Sequence, residues 1–399
     1  MSGLPGDPVP VTNASGFYTA AVYSGWSGTV TPALMGYLFA SRTYSNVTKN
    51  LINQDFQAVI DSTEPDNDPA SAAFLPMGTT ANLIFAGPYP LDVDWYKFFV
   101  PKKAAGQDLK VNVRVTSPYP NPLPEGWASD LDFELLDGSL RVLGVVISRS
   151  DNETLYLHGV ASGWYYVNIG YCSTNYKDSS SFARYAVTLK TGTDFGLGYI
   201  SGRVVDDSLQ GIEKVFVRMY SFPTFDWNMS FPTMTTGPGG FFSLAYNPGT
   251  YDLYFTGEDI SGNQFAVNVV DEYYFDRKKL SDADELSLAK GKTLNLPNVV
   301  LDIGAIVSGQ VKNSLNMALE GVLVSGYDPE GLLVAYTWTD ASGKYTLLRI
   351  PAGGVRLRFR KSGYATQYYN NKPSLDLADK LETKLRVEIP GIDAVLLPQ

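Results

Sequence analysis

The sequence predicts an all-β protein built from tandem antiparallel β-sandwiches, and three observations carry that expectation. Apolar and polar residues alternate at period two along much of the chain. In "GGVRLRFRK", Val355, Leu357 and Phe359 alternate with Arg356, Arg358 and Arg360, the pattern of a strand with one buried face. Turn signals such as "PGG", "NPGT", "ASGK" and "PAGG" punctuate these runs. The composition agrees: 26 Tyr, 37 Gly and 24 Pro against 18 % charged residues favour short strands and turns over helices.

The length of 399 residues exceeds one small core, and the organisation is read along the chain. Residues 1–60 hold "ASGFYTAAVYSGWSGTVTP" and "RTYSNVTKN": a turn, a strand, a turn, a strand and a closing strand. This reads as part of a sandwich without its opening strands, which leaves sheet edge uncovered. The expectation is that other copies of the chain complete it by β-strand addition, or that the piece is cut from a longer chain.

Residues 61–195 open with an acidic stretch and continue through strand signals such as "KVNVRV", "DLDFELL", "WYYVNIGY" and "RYAVTLK". Residues 196–302 and 303–399 repeat one pattern. "GYISGRVVDDSLQGIEKVFVRMYS" matches "GAIVSGQVKNSLNMALEGVLVSGYD", and "TTGPGGFFSLAYNPGTYDLYF" matches "TDASGKYTLLRIPAGGVRLRF". The one helix-like piece is "KKLSDADELSLAKG".

Charge and composition exclude several functions. A net charge of -10 and a pI near 4.7 offer no basic face for nucleic acid. No apolar run is long enough for a membrane-spanning segment. The start "MSGLPGDPVP" has neither the basic nor the apolar region of a signal peptide, so the chain is either intracellular or a processed or recombinant piece, and the organisation along the chain favours the second. The lone Cys172 forms no internal disulfide and reads as a small buried hydrophobe.

Chemistry is sparse. The single histidine, His158, leaves no His-rich zinc site, and no Gly-x-Ser-x-Gly elbow accompanies it. Asp130 and Asp132 read as the outward face of "DLDFELL" rather than a glycosidase pair. Clusters such as Trp164, Tyr165, Tyr166 and Tyr171, or Tyr273, Tyr274, Tyr368 and Tyr369, either fill cores or present a face to sugar rings or a protein partner.

The acids at 64–94 are the remaining candidates. Glu64, Asp66 and Asp68 alternate, which on an extended segment puts them on one face, roughly 6.6–7 Å apart. Asp92 and Asp94 alternate likewise at a strand start. The two sets converge on a hard cation if the segment lies beside that strand; otherwise they are a solvated linker.

These residues carry resemblances. "ISGRV" and "VSGQV", "GIEKVFV" and "GVLVSGY", "ASGKYTLLRIPAGGVRLRF", and "YYNN" followed by "IDAVL" resemble the carboxypeptidase-regulatory-like, collagen-adhesin B-type modules of bacterial surface proteins. Residues 1–60 resemble the second half of one. "STEPDNDPASA", "DVDWYKFFV", "DLDFELLDG", "SGWYYVNIG" and "YAVTL" resemble the bacterial pre-peptidase C-terminal domain. The resemblance implies immunoglobulin-like or prealbumin-like modules around one jelly-roll-like sandwich. It also implies calcium held by Glu64, Asp66, Asn67, Asp68, Asp92 and Asp94. Some of these adhesin modules carry Lys–Asn isopeptide bonds; Lys312, Asp393 and Glu320 fit that scheme in one copy only.

The function so implied is a non-catalytic extracellular stalk, adhesin or filament-type subunit of a bacterial cell surface. The alternative is a carbohydrate- or protein-binding accessory region of a secreted hydrolase or peptidase.

Overall fold

The computed structural model describes residues 3–5, 10–32, 34, 37–39, 42–61, 63–86, 93–118, 131–147, 150, 152–170, 182–220, 233–258 and 267–399. Cys172, Asp92 and Asp130 lie outside them. The described chain forms two compact units, one up to Phe195 and one from Gly196 onwards. It is all-β, as the alternation predicts, and no helix in it is long and apolar enough to cross a membrane.

In the first unit, the opening residues form two short antiparallel pairs. Trp26–Val30 pairs with Arg42–Val47, and Tyr37–Phe39 with Ala58–Ile60. Among the residues up to 60 whose side chains are described, Trp26, Val30, Thr31 and Pro32 are the buried ones. Beyond them stands a full sandwich. One sheet runs Ala73–Phe74, Asp94–Val100, Gly163–Gly170, Asp132–Asp137, Val142–Val146. The facing sheet runs Asn152–Leu157, Asp108–Pro118, Phe182–Gly192, Gly78–Ala86. Alternate residues of both sheets meet in the core: Tyr96, Phe98, Leu109, Val111, Phe133, Leu135, Leu155, Val167 and Tyr185 are all at or below 1 % exposure.

The second unit contains the same sandwich twice. In the first copy, Gly198–Val205 pairs with Phe241–Tyr246 and, in parallel, with Thr293–Asn295 and Val299–Val300. The facing sheet holds Phe216–Tyr220 and Gly249–Thr256, edged by Glu272–Tyr273 and Leu286–Leu288. In the second copy, Ala305–Asn313 takes Lys344–Ile350 and, in parallel, Glu388–Ile389 and Ala394–Leu396. Its facing sheet runs Leu333–Trp338, Leu323–Tyr327, Arg356–Arg360, Gln367–Tyr368.

The Ser-Gly of each opening strand has a packing reason. Phe242 lies across from Gly202 and stacks edge-on with Phe255 at 5.8 Å; Tyr345 lies across from Gly309 and stacks edge-on with Phe359 at 5.9 Å. A Cβ on Gly202 would come within 2.7 Å of the Phe242 ring, and one on Gly309 within 2.0 Å of the Ile392 carbonyl oxygen. A second repeated device is a buried threonine. Thr236 donates to the Ile212 carbonyl at 2.7 Å and accepts from the Val215 N–H at 3.0 Å. Thr339 does the same with the Leu319 carbonyl and the Val322 N–H.

The helix-like piece "KKLSDADELSLAKG" does not form an α-helix. It contains one 3-10 turn, Leu280–Asp282, and then Leu286–Leu288, which adds to the edge of Gly249–Thr256. Tertiary pairing of an available sheet edge overrides the local helix propensity.

Candidate functional site

Burial alternates along Asp94–Val100, so Asp94, Tyr96, Phe98 and Val100 face inward. Asp94 therefore begins the inward row and is fully buried at the end of the core. The Glu64–Asp68 segment docks against this strand start. The Asp66 carbonyl accepts the Trp95 N–H at 2.8 Å, and Asn67 Oδ1 accepts the Val93 N–H at 2.9 Å. Glu64 folds back so that Oε2 accepts from the Asp66 N–H at 3.2 Å and from Asn67 Nδ2 at 3.0 Å. The segment thus lies beside the strand, as convergence requires.

Within this corner Asp66 and Asp94 are each 0 % exposed. Tyr185 donates its hydroxyl to Asp94 Oδ2, and Tyr96 and Tyr185 share a hydrogen bond at 2.7 Å between their hydroxyls. Burial, with the Asp94 charge added, holds both phenols well above their ordinary pKa. Asp61, 4 % exposed, caps Thr63, and burial pushes its carboxyl up. Glu64 Oε1 and Asp61 Oδ2 are buried without a hydrogen-bond donor.

The sequence-predicted acids are only partly brought together. The expected alternation stops at Asp68, where a turn begins. Its exposed carboxylate accepts the Ala70 and Ser71 N–H groups at 2.8 and 3.0 Å. Asp92 lies outside the described residues. Among the described residues, no group of three or more His, Cys, Asp or Glu side chains is arranged to hold a metal.

Other sequence candidates resolve structurally. His158 Nδ1 lies 2.7 Å from Oδ1 of Asp108, which is 3 % exposed. Asp132, expected on the outward face of its strand, is instead buried, at 6 % exposure. Glu320 is exposed, its carbonyl accepts Lys361 Nζ at 2.6 Å, and Asp393 Oδ1 accepts the Gln310 N–H at 2.8 Å. The buried acid that an isopeptide bond needs is therefore not supplied by Glu320.

A polar cluster that sequence reasoning missed joins the two tandem copies. Arg349, 5 % exposed, places Nη1 2.7 Å from Asp271 Oδ2 and 3.6 Å from Glu258 Oε2. Tyr254 also donates to Asp271 Oδ2, at 3.1 Å. Burial works against the Arg349 charge, and Asp271 and Glu258 outweigh it, holding the guanidinium above its ordinary pKa. Asn268 clips the same seam: Oδ1 accepts the Arg349 N–H and Nδ2 donates to the Gly304 carbonyl, both at 2.7 Å. Arg386 reaches Asp206 and Asp207 across the two copies. No sequence signal marks Arg349 apart from a basic residue inside an otherwise apolar strand end, "LLRIP".

Comparison with known proteins adds one family match. Residues 306–388 match the carboxypeptidase regulatory-like domain. No curated protein matches the sequence significantly. Among solved structures, the chain is similar to the TIE protein of Bacillus anthracis, at 12 % identity and TM-score 0.21 over 74 % of this chain and 52 % of that one. It thus spans about half of that protein's length. A streptococcal ancillary pilin matches at 12 % identity and TM-score 0.24, over 59 % of this chain and 82 % of the pilin. The minor pilin GBS52 of Streptococcus agalactiae matches at 14 % and 0.25, over 51 % and 96 %.

Proposed function

We propose that the chain is a non-catalytic modular element of a bacterial cell surface, a stalk, adhesin or filament-type subunit. The observation that carries this reading is the Arg349–Asp271–Glu258 cluster. It spends a buried ion pair on fixing one sandwich against the next rather than on a reactive centre. A chain under tension gains from modules that move as one body. Calorimetry on the full chain tests it. One shared transition for the tandem copies, split by Arg349→Ala, is expected; two independent transitions in the parent chain would sink the reading.

Residues 61–195 are read as a pre-peptidase C-terminal-like sandwich with a structural calcium. Glu64, Asp66, Asp94 and Asn67 would hold the ion, with Asp92 and Asp68 as further oxygen donors. The buried Glu64 Oε1 supports that fit, since a hard cation takes oxygen ligands of this kind. The short strand pairs of residues 1–60 support completion by a strand from another copy of the chain.

A second reading is favoured by one patch. Phe74, Phe99 and Trp164 are 58 %, 42 % and 47 % exposed and pack edge-on, Trp164 lying 6.2 Å from Phe74 and 5.3 Å from Phe99. Such a platform suits a carbohydrate or protein ligand, as in an accessory region of a secreted hydrolase or peptidase. Loss of ligand retention in Trp164→Ala tests it.

A further inference from the structure

The net charge of -10 implies no basic face, yet the outer face of the last sandwich's second sheet carries a local row of arginines among aromatic rings. Val324, Leu357 and Phe359 point into the core, so their neighbours lie on the other face, with Ser325 at 1 % exposure covered by the larger side chains around it. Register places Trp338, Leu323 and Arg360 in one row, and Tyr336, Ser325, Arg358 and Tyr368 in the next. Tyr327 and Arg356 form a third. Among the described residues, Arg356, Arg358 and Arg360 have no ion pair, in a chain of net charge -10. Nε of Arg356 and of Arg358 is buried without an acceptor. The Arg358 guanidinium lies 5.2 Å from the Tyr327 ring centroid. Trp338 is 50 % exposed and stands edge-on to Tyr336 at 5.3 Å. Glu258, which reaches Tyr336 at the rim of this face, is engaged by Arg349.

We propose that Arg356, Arg358, Arg360, Tyr327, Tyr368 and Trp338 form a binding surface for an acidic, uronate-bearing polysaccharide. Charge complementarity selects the occupant. A planar guanidinium matches a carboxylate through two parallel hydrogen bonds. Three of them at every second residue stand roughly 6.6–7 Å apart, a spaced row suited to a polymer with repeating charge. The aromatic rings between them offer planes for the apolar faces of pyranose rings. Arg, Tyr and Trp also anchor protein partners; the repeat of the guanidinium groups along one strand is what favours a polymer with repeating carboxylates. The surface stands apart from the structural reading above and from the Trp164 platform.

Affinity electrophoresis of the full chain tests it, with polygalacturonate, its methyl-esterified form, dextran sulfate and single-stranded DNA as probes. Polygalacturonate retards the chain, increasingly as salt is lowered, and the esterified polymer does not. Arg358→Gln and Trp338→Ala each weaken retention about tenfold, with unchanged melting temperature. Arg360→Gln, at an exposed position, carries the test if Arg358→Gln misfolds. Retention equal for the esterified polymer, or unmoved by these variants, overturns the proposal. So does preference for dextran sulfate or DNA, or self-association of the chain through the same arginines.

Discussion

Arg349 Nη1 sits 2.7 Å from Asp271 Oδ2, with the arginine side chain 5 % exposed and the carboxylate 17 %. The pair links two sandwiches that are otherwise copies of each other. Arg349 also holds a backbone φ of 66°, a conformation that costs most residues free energy. The Asn268 contact to its N–H fixes that backbone, and a Cβ at Gly304 would come within 2.8 Å of the Arg349 backbone. Charge, backbone shape and a glycine are matched at one seam.

Replacing Arg349 with Ala leaves Asp271 buried without its cation. A loss of about 3–5 kcal/mol is expected, the range for breaking one side of a buried pair. Urea unfolding would register it. A loss below about 1 kcal/mol would put the seam in the class of exposed pairs.

The two buried threonines should behave alike. Thr236→Val and Thr339→Val each remove a hydroxyl that serves one carbonyl and one N–H, and Thr236 and Thr339 are 0 % and 4 % exposed. Leaving such groups unmatched costs about 1–3 kcal/mol. Denaturation of the two single variants checks it, and near-equal losses are expected because the repeat places both hydroxyls in the same corner.

What was legible in the sequence follows from period. Alternation in "VRLRFR" and the Ser-Gly openings exposed strands and repeats because each buried position leaves a residue-type mark. Aligned from their first Thr, the two quoted turns stand one residue out of step: Thr236 and Gly240 correspond in the fold to Thr339 and Gly343. Their turns close identically, from the Gly240 N–H to the Gly237 carbonyl and from the Gly343 N–H to the Asp340 carbonyl. A β-turn tolerates many residue types, so spacing alone did not fix the register. The approach of Asp66 to Trp95 was inferable as a possibility from acid spacing, whereas the turn at Asp68 was not. Arg349 pairs with Asp271 and Glu258 over 78 and more positions, and such separation leaves no local pattern to read.

Glu272 predicts a pH dependence. Burial, with Asp276 and Asp302 adding repulsion, pushes its carboxyl from 4.5 up to about 8. Its stabilising contribution is whole below pH 4.5, where both folded and unfolded chains hold the proton. It is lost progressively as pH rises from 4.5 through about 8, where the unfolded chain has released the proton and the folded chain still holds it on a desolvated acid. Melting temperature should fall across that window, and Glu272→Gln should flatten the fall. An identical slope in parent and variant would remove Glu272 as its source.

Calcium at the Asp66–Asp94 corner gives the last expectation. A ligand at about 100 times its dissociation constant stabilises by about 2.7 kcal/mol. For a sandwich of this size that raises the melting temperature by roughly 5–10 °C. The comparison is each chain with calcium against itself with chelator, so a general loss of stability in a variant does not blur the result. Asp94→Asn and Asp66→Asn should abolish the rise, since each removes a charge from a fully buried position. Asp68→Asn should reduce it only slightly, because that carboxylate is exposed and caps Ala70 and Ser71. Tyr185→Phe separates the hydrogen-bond corner from the ion. It removes the hydroxyl on Asp94 Oδ2 without touching a carboxylate, so the calcium-dependent rise should persist on a less stable chain. Equal melting with calcium and with chelator in the parent chain would show that the corner is a purely hydrogen-bonded brace.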